Sequence, residues 1–280
     1  MGNKTSAKSY WKNTVTGVIV NICRLTVSLT FILSGFVKAV DPLGTKYKII
    51  DYAEALGVTE YLPDMAALLA SVALAATEFI LGICLLFAIH RRVATRLVVL
   101  LMLVMTPLTL WLALSNPISD CGCFGDAVKL TNWQTFWKNV VLLLAAVISA
   151  IRPLKMVRFI SLANQWIVMN FSWIFILTIS GYSIYYLPPF DFRPYHVGAD
   201  IRKAMEIPED AEQPQFETTF ILEKNGVQKE FTINDYPDST WTFVDSRTVQ
   251  LTEGYQPEIS DFSVVTVEDG IDITEQIIAD

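Results

Sequence analysis

The chain has 280 residues, of which 52% are hydrophobic and 18% charged, with a mean hydropathy of +0.42. A soluble domain of this size does not carry that balance, so the apolar residues must meet lipid. The formal charge of −7 is divided unevenly: residues 189–280 hold twenty Asp and Glu against six Lys and Arg, which leaves +7 for residues 1–188 and no soluble basic surface for nucleic acid.

In chain order, the polar residues 1–14 carry Lys4, Lys8 and Lys12 and lead into an apolar run from Val15 to Val40. No small-residue cleavage site closes that run, so it reads as a retained first span and not as a secretory signal. Four further spans follow, from about Ala66 to Ile89, Val93 to Leu114, Trp133 to Ile151 and Trp166 to Leu187. Each can cross the roughly 30 Å of hydrocarbon at about 1.5 Å per residue. Between the first two, Tyr47, Ile50, Ala53 and Leu56 fall at helical spacing and predict an amphipathic helix on the membrane surface. Thr106-Pro107 predicts a kink with freed carbonyls in the third span. Thr131 and Gln134 have capping-box spacing at the start of the fourth, with Trp133 and Trp137 at headgroup depth.

The short loops sort by charge. Lys4, Lys8, Lys12, Arg91, Arg92, Arg96, Arg152, Lys155 and Arg158 fall on one side, against Lys46, Lys48 and Lys129 on the other. The positive-inside rule then puts the N-terminus in the cytoplasm and residues 41–65, 115–132 and 189–280 outside. The expected divisions are a cytoplasmic N-terminus (1–14), a four-helix membrane bundle (15–151), a cytoplasmic loop with a fifth transmembrane helix (152–188) and an acidic β-rich segment (189–280).

In that last segment, Glu217 to Leu222 and Val227 to Ile233 flank Asn225-Gly226, a strong hairpin signal. Strand-like runs follow at Trp241 to Val244, Thr248 to Leu251 and Phe262 to Val267, with a turn expected at Asp269-Gly270. A sheet this small is only marginally stable alone, so it is expected to rest on the membrane body or on another protein.

The sharpest chemical feature is Asp120-Cys121-Gly122-Cys123-Phe124-Gly125-Asp126, in the loop before the fourth span. Two thiols one glycine apart, in a disulfide-permissive compartment, suit redox exchange, with Gly122 and Gly125 allowing a tight turn. A fixed bridge that pins the loop, or two reduced thiols packed beneath it, fits the same residues. The flanking Asp120 and Asp126 are expected to hold the thiol pKa up. No metal is expected, since His90 and His196 are the only histidines and fall in different regions. Cys23 and Cys84 lie at similar depth, roughly 10 Å inside the membrane by helix rise. They read either as an inner relay or as small apolar residues.

Arg24 and Glu78 are charges inside the first two spans, where an unpaired charge costs on the order of 3 kcal/mol, and each is expected to be the other's partner. Arg24, Ser28, Phe31, Gly35 and Lys38 share one stripe, and Ser71, Glu78 and Gly82 another, as helix-facing surfaces do. The pair reads as a bundle lock or as part of a ligand or proton site.

Arg24, Ser34-Gly35, Lys38, Asp41-Pro42-Leu43-Gly44, Glu78 and Gly82 together resemble the DoxX family of small membrane proteins, and Cys121-Gly122-Cys123-Phe124-Gly125 resembles the related MauE family, named for methylamine utilisation. The C-terminal segment, with Asp191-Phe192-Arg193-Pro194-Tyr195 and Trp241-Thr242-Phe243-Val244-Asp245, is similar to a branch of DoxX proteins found in Bacteroidota. The resemblance implies an all-α membrane fold, a four-helix bundle plus a fifth transmembrane helix, followed by the β-rich segment. It implies support of disulfide formation beside a thioredoxin-like partner, in a bundle similar to that of quinone-coupled disulfide enzymes, which carry Cys-x-x-Cys where this chain has Cys-x-Cys. Relatives of the branch continue into a thioredoxin-like domain, so that domain is expected from a separate envelope protein or from further chain. The expectation is therefore a bacterial inner-membrane thiol-disulfide component in which Cys121 and Cys123 exchange electrons and the bundle around Arg24 and Glu78 passes them to a quinone. A non-enzymatic scaffold with a structural disulfide, and a small-molecule binder or transporter, are the alternatives.

Overall fold

The structure, a computed structural model, describes residues 2–118, 121–128, 130–193, 196–208, 210–211, 215–224, 227–232, 237, 240–252, 255, 257, 259, 262–267 and 270–278. It forms two compact units, residues 1–193 and 194–280.

The first unit is helical: α1 (Gly2–Val40), α2 (Pro42–Ala55), α3 (Asp64–Leu86), α4 (Arg91–Ser115), α5 (Asn132–Ile151) and α6 (Gln165–Tyr185). Five stretches are long and apolar enough to cross a membrane: Thr14–Val40, Asp64–Leu86, Arg91–Ser115, Asn132–Ile151 and Leu162–Tyr185, each close to its predicted span. Leucine, valine and phenylalanine side chains on α4 and α6, such as Leu100, Leu103, Val104, Phe171 and Ile174, stay exposed, an apolar girdle that lipid covers.

Small residues set how closely the helices approach. The stripe Val20, Arg24, Val27, Ser28, Phe31, Ser34 and Lys38 is the buried face of α1. On that side Gly35 lies so near α3 that a Cβ there would stand 2.5 Å from the Phe79 nitrogen. Gly82 makes the reciprocal approach, where a Cβ would meet the Ile32 nitrogen at 2.8 Å. Close backbone contact is what holds helices together where lipid removes the hydrophobic drive between them. The sixth helix belongs to the same body: Ile176 is fully buried, and the Phe175 ring lies 5.7 Å from that of Phe79 and 6.3 Å from that of Phe36.

Helix ends follow the local chemistry. Asp41 Oδ1 accepts the Gly44 N–H at 2.9 Å, with Pro42 in the first turn, so α2 starts at once where α1 stops. The Thr131–Gln134 capping box forms as predicted. Pro107 interrupts the hydrogen-bond ladder of α4 without ending it: the Thr106 hydroxyl donates to the Met102 carbonyl (2.7 Å), Thr109 to that of Met105 (3.0 Å), and Asn139 of α5 to Thr109 Oγ1 (3.2 Å).

The amphipathic helix between the first two spans exists as α2, with a different inward face. Thr45 and Ala53 are buried and Ile49 and Tyr52 face the bundle, whereas Tyr47 and Leu56 are exposed.

The second unit holds α7 (Ile201–Met205), β1 (Gln215–Lys224), β2 (Val227–Thr232), β3 (Thr242–Thr252) and α8 (Thr274–Ile278). The sheet is antiparallel in the order β2-β1-β3. Lys224 pairs with Val227, as a two-residue hairpin requires, while Asn225 and Gly226 themselves lie outside the described residues. The runs expected at 241–244 and 248–251 are one strand, because Asp245, Ser246 and Arg247 continue the ladder opposite Ile221, Phe220 and Thr219 and a register shift between Ile221 and Leu222 absorbs the irregularity. The strand expected at Phe262 to Val267 does not form among the described residues: a single bridge joins Val265 to Asp272. Gly270 takes a left-handed φ of 66°, as a turn there needs, and Asp269 lies outside the described residues.

Candidate functional site

The loop between α4 and α5 turns on its glycines. Gly122 and Gly125 adopt φ of 65° and 51°, and the Gly125 N–H donates to the Gly122 carbonyl at 3.1 Å. The turn folds the two cysteines toward each other, with Sγ atoms 2.8 Å apart, both in the thiol form. Three helices hold this loop. From α2, Tyr52 donates its hydroxyl to the Cys121 carbonyl (3.1 Å), and Lys48 packs so tightly over Gly122 that a Cβ there would meet its Cγ at 2.9 Å. From α1, Ser34 Oγ and Lys38 Nζ both reach the Cys123 carbonyl, at 2.7 and 3.1 Å. From α5, the Lys138 ammonium sits 4.4 Å from the centre of the Phe124 ring.

Beneath the loop, Lys38 and Glu78 form a buried ion pair at 2.6 Å, their side chains 6% and 8% exposed, and the Ser34 hydroxyl, whose single proton serves either the Cys123 carbonyl or the same Glu78 oxygen, lies 2.7 Å from each. This corrects the expected Arg24–Glu78 pair. Arg24 lies ten residues before Ser34, about 15 Å down α1 by helix rise. There its Nη1 donates to the Val157 carbonyl (2.6 Å) and its guanidinium covers the Phe159 ring, while Nε and Nη2 find no acceptor among the described residues. Both charges belong to the stripes predicted, at different depths.

Thiols and ion pair share one cavity of about 220 Å³. Leu101, Met102, Met105, Leu108 and Leu142 form an apolar wall, and Lys38, Glu78, Lys138, Tyr52 and the two cysteines gather at the other end. Arg24 is not among the lining residues. Cys84 is buried with its sulfur 3.6 Å from that of Met169, and Cys23 packs at the edge of the apolar core, so both fill space in the bundle and neither lines the cavity.

The two thiols are electrically unequal. The hydrogen bond between the two sulfurs, together with Lys138 and Lys38, holds Cys123 down to about 6, against the opposing effects of burial and Glu78. The same bond, with burial, pushes Cys121 well up. The pair thus sheds its first proton from Cys123. Asp120 and the Asp126 side chain, expected to raise both thiols, lie outside the described residues. Lys138 and Tyr52 were not singled out by the sequence reading. Lys138 carried a weak signal, a cation at the polar start of a span, just before the apolar run from Val140.

The site is thus a vicinal thiol pair beside a largely apolar cavity in a polytopic helical bundle, with a buried Lys–Glu pair beneath it. Residues 16–152, just under half of the chain, match the family model described as methylamine utilisation protein MauE, which supports a DoxX/MauE-like membrane family for this stretch. Residues 216–253, which span the three-stranded sheet, match a domain of unknown function (DUF8463). No curated protein and no solved structure matches the chain.

Proposed function

We propose that this multi-pass membrane protein is a thiol-disulfide redox component: Cys121 and Cys123 take electrons from a thioredoxin-like envelope protein and deliver them into the cavity, to a quinone. The observation that carries the reading is the contact between the two sulfurs at the polar end of an otherwise apolar cavity. The charge distribution of the loops supports a bacterial inner-membrane orientation, with the N-terminus cytoplasmic and both the thiol loop and the acidic segment periplasmic.

The donor set suits a quinone. Leu101, Met102, Met105, Leu108 and Leu142 match a ring and isoprenoid tail, and Lys138 would be the donor to a quinone oxygen beside the thiols. When bound, a quinone supplies a two-electron, two-proton acceptor. The protein's own share of the cycle is balanced: a partner dithiol is oxidised to its disulfide as the Cys121–Cys123 disulfide opens to two thiols, and the two thiols later close again, releasing two electrons and two protons. Lys38, Ser34 and Tyr52 hold the loop carbonyls throughout, which keeps the sulfurs facing the cavity.

The test uses the full chain in lipid nanodiscs. With the pair reduced, a soluble short-chain quinone is added, and hydroquinone absorbance and alkylation mass shifts are followed together. Wild type is expected to form one hydroquinone per oxidised pair, and the Cys121→Ser and Cys123→Ser variants none. A pair that stays reduced under excess quinone, and once oxidised resists a thioredoxin dithiol, rejects the reading.

A further inference from the structure

The two cysteines sit in unlike surroundings, and the difference assigns them separate work. The Cys121 side is covered by α2, with Tyr52 on its carbonyl and Lys48 over the adjoining Gly122. Cys121 is buried, and its Sγ meets Cys123 Sγ at 2.8 Å. Cys123 is half-buried and lies between cations of two helices. Lys38 of α1 reaches its carbonyl but is committed to Glu78 of α3. Lys138 of α5 lines the cavity with both sulfurs, is fixed over the ring of Phe124, the residue after Cys123, and makes no ion pair among the described residues. The other charged or titratable groups of the cavity are Lys48 and Tyr52 of α2, and α4 contributes only apolar side chains to it. Glu78, the carboxylate of the cavity, is held by Lys38, so the other feature that can carry negative charge beside Lys138 is the thiol pair.

We infer that Cys123 is the nucleophilic sulfur of the pair, that Lys138 is the positioning residue whose ammonium holds its negative charge, and that Cys121 is the resolving thiol behind it. The inference deepens the redox reading and rests on it. In the step with the partner dithiol, the partner's thiolate attacks Cys123 of the oxidised pair, the Cys121–Cys123 bond breaks and Cys121 leaves, taking up a proton; the partner's second thiol then attacks its own sulfur in the mixed disulfide, which closes the partner's disulfide and releases the Cys123 thiolate. Against a small disulfide the reduced pair runs the same steps in reverse, with Cys123 as attacking sulfur and Cys121 as resolving thiol. Two electrons and both sulfur bonds are accounted for.

The hydrogen bond between the sulfurs and the two lysines favour the Cys123 thiolate against the effect of burial, and the same bond with burial keeps the Cys121 proton in place, which supports the same assignment. With a midpoint near 6, alkylation of Cys123 rises with pH through that value and levels off above 7.

The test needs neither partner nor quinone, so its outcome is separate from that of the redox assay. The reduced full chain in nanodiscs is treated with iodoacetamide between pH 4.5 and 9, and the labelled sulfur is located by fragment-ion mass spectrometry. Cys123 is expected to label at least about tenfold faster than Cys121 at pH 7, the difference between a largely ionised and a largely protonated thiol. Lys138→Met is expected to move the Cys123 midpoint up by about one unit, an approximately fivefold loss of rate at pH 6, while Lys138→Arg stays at the wild-type midpoint. A circular-dichroism melt of both variants confirms folding, so that a rate change is read only on folded protein. Preferential labelling of Cys121, equal labelling of both, or a midpoint that Lys138→Met leaves in place overturns the assignment.

Discussion

Replacing Lys38 by Met isolates what the buried ion pair does. The ammonium lies 2.6 Å from Glu78 Oε2, with both side chains almost fully excluded from solvent. At such range an ion pair attracts by about 6 kcal/mol under an effective dielectric of about 20. Truncating one member strands the other, which typically costs about 3–5 kcal/mol. Lys38→Met leaves the Glu78 carboxylate with the Ser34 hydroxyl as its remaining hydrogen bond and also removes one donor from the Cys123 carbonyl. A loss of about 3–5 kcal/mol is therefore expected. The double variant Lys38→Met/Glu78→Gln, which removes both charges, should recover at least about 1.5 kcal/mol of that loss, since the stranded charge was most of the penalty. The assay is reversible unfolding by SDS in mixed micelles, followed by circular dichroism for wild type, both single variants and the double. Single-variant losses below about 1 kcal/mol that simply add in the double would refute the argument, because they would mean that the pair is hydrated or unformed.

Gly35→Ala should lower stability by about 1–3 kcal/mol, because its Cβ has no room against Phe79, whereas Gly17→Ala, where nothing lies within 4 Å, should be harmless; thermal melts in one detergent compare them. Tyr52→Phe removes the donor to the Cys121 carbonyl, and a loss of about 1 kcal/mol with faster amide exchange across residues 121–128 is the expected result. Thr131→Ala breaks the capping box, so α5 should lose about 1 kcal/mol and its first turn should exchange faster than its centre.

The spans were legible because length and hydropathy are sufficient signals for a helix in lipid, and the α5 cap because its spacing is local. The buried stripe of α1 was legible as a face. Its partners were not, since a period of 3.6 residues fixes direction around the axis but leaves depth relative to a neighbour open. Arg24 and Glu78 share facing stripes, yet the register of α1 against α3, set by Gly35 and Gly82, brings Lys38 to Glu78. The inward face of α2 was misjudged for a related reason: Thr45 and Tyr52 face inward because the thiol loop offers carbonyls and a floor there, and no hydropathy index contains that loop. In the site itself, the adjacent thiols and the permissive glycines could be read directly. Their inequality could not, because it depends on the hydrogen bond between the two sulfurs that the folded turn creates, and then on Lys138 and Lys38, which are distant in sequence from each other and contributed by different helices.

The thirteen-residue connection from Arg152 to Asn164, between α5 and α6, is gripped in an unusual manner. Asn21 donates to the Lys155 carbonyl and accepts the Val157 N–H, Arg24 donates to the Val157 carbonyl, and Arg91 donates to the carbonyls of Leu154 and Met156. Every one of these bonds lands on main chain, and the side chains of Leu154 and Val157 point outward. Selection on this stretch therefore falls asymmetrically. Leu154 and Val157 are free to drift among any residues that keep the backbone path, with proline excluded at 157, while Asn21, Arg24 and Arg91, far away in sequence, carry the constraint for them. A charged residue deep in the first helix, which looks like ligand chemistry when read along the chain, is in effect the fastener of a loop that otherwise holds itself by Met156 in the core and by the Phe159 ring beneath that same guanidinium.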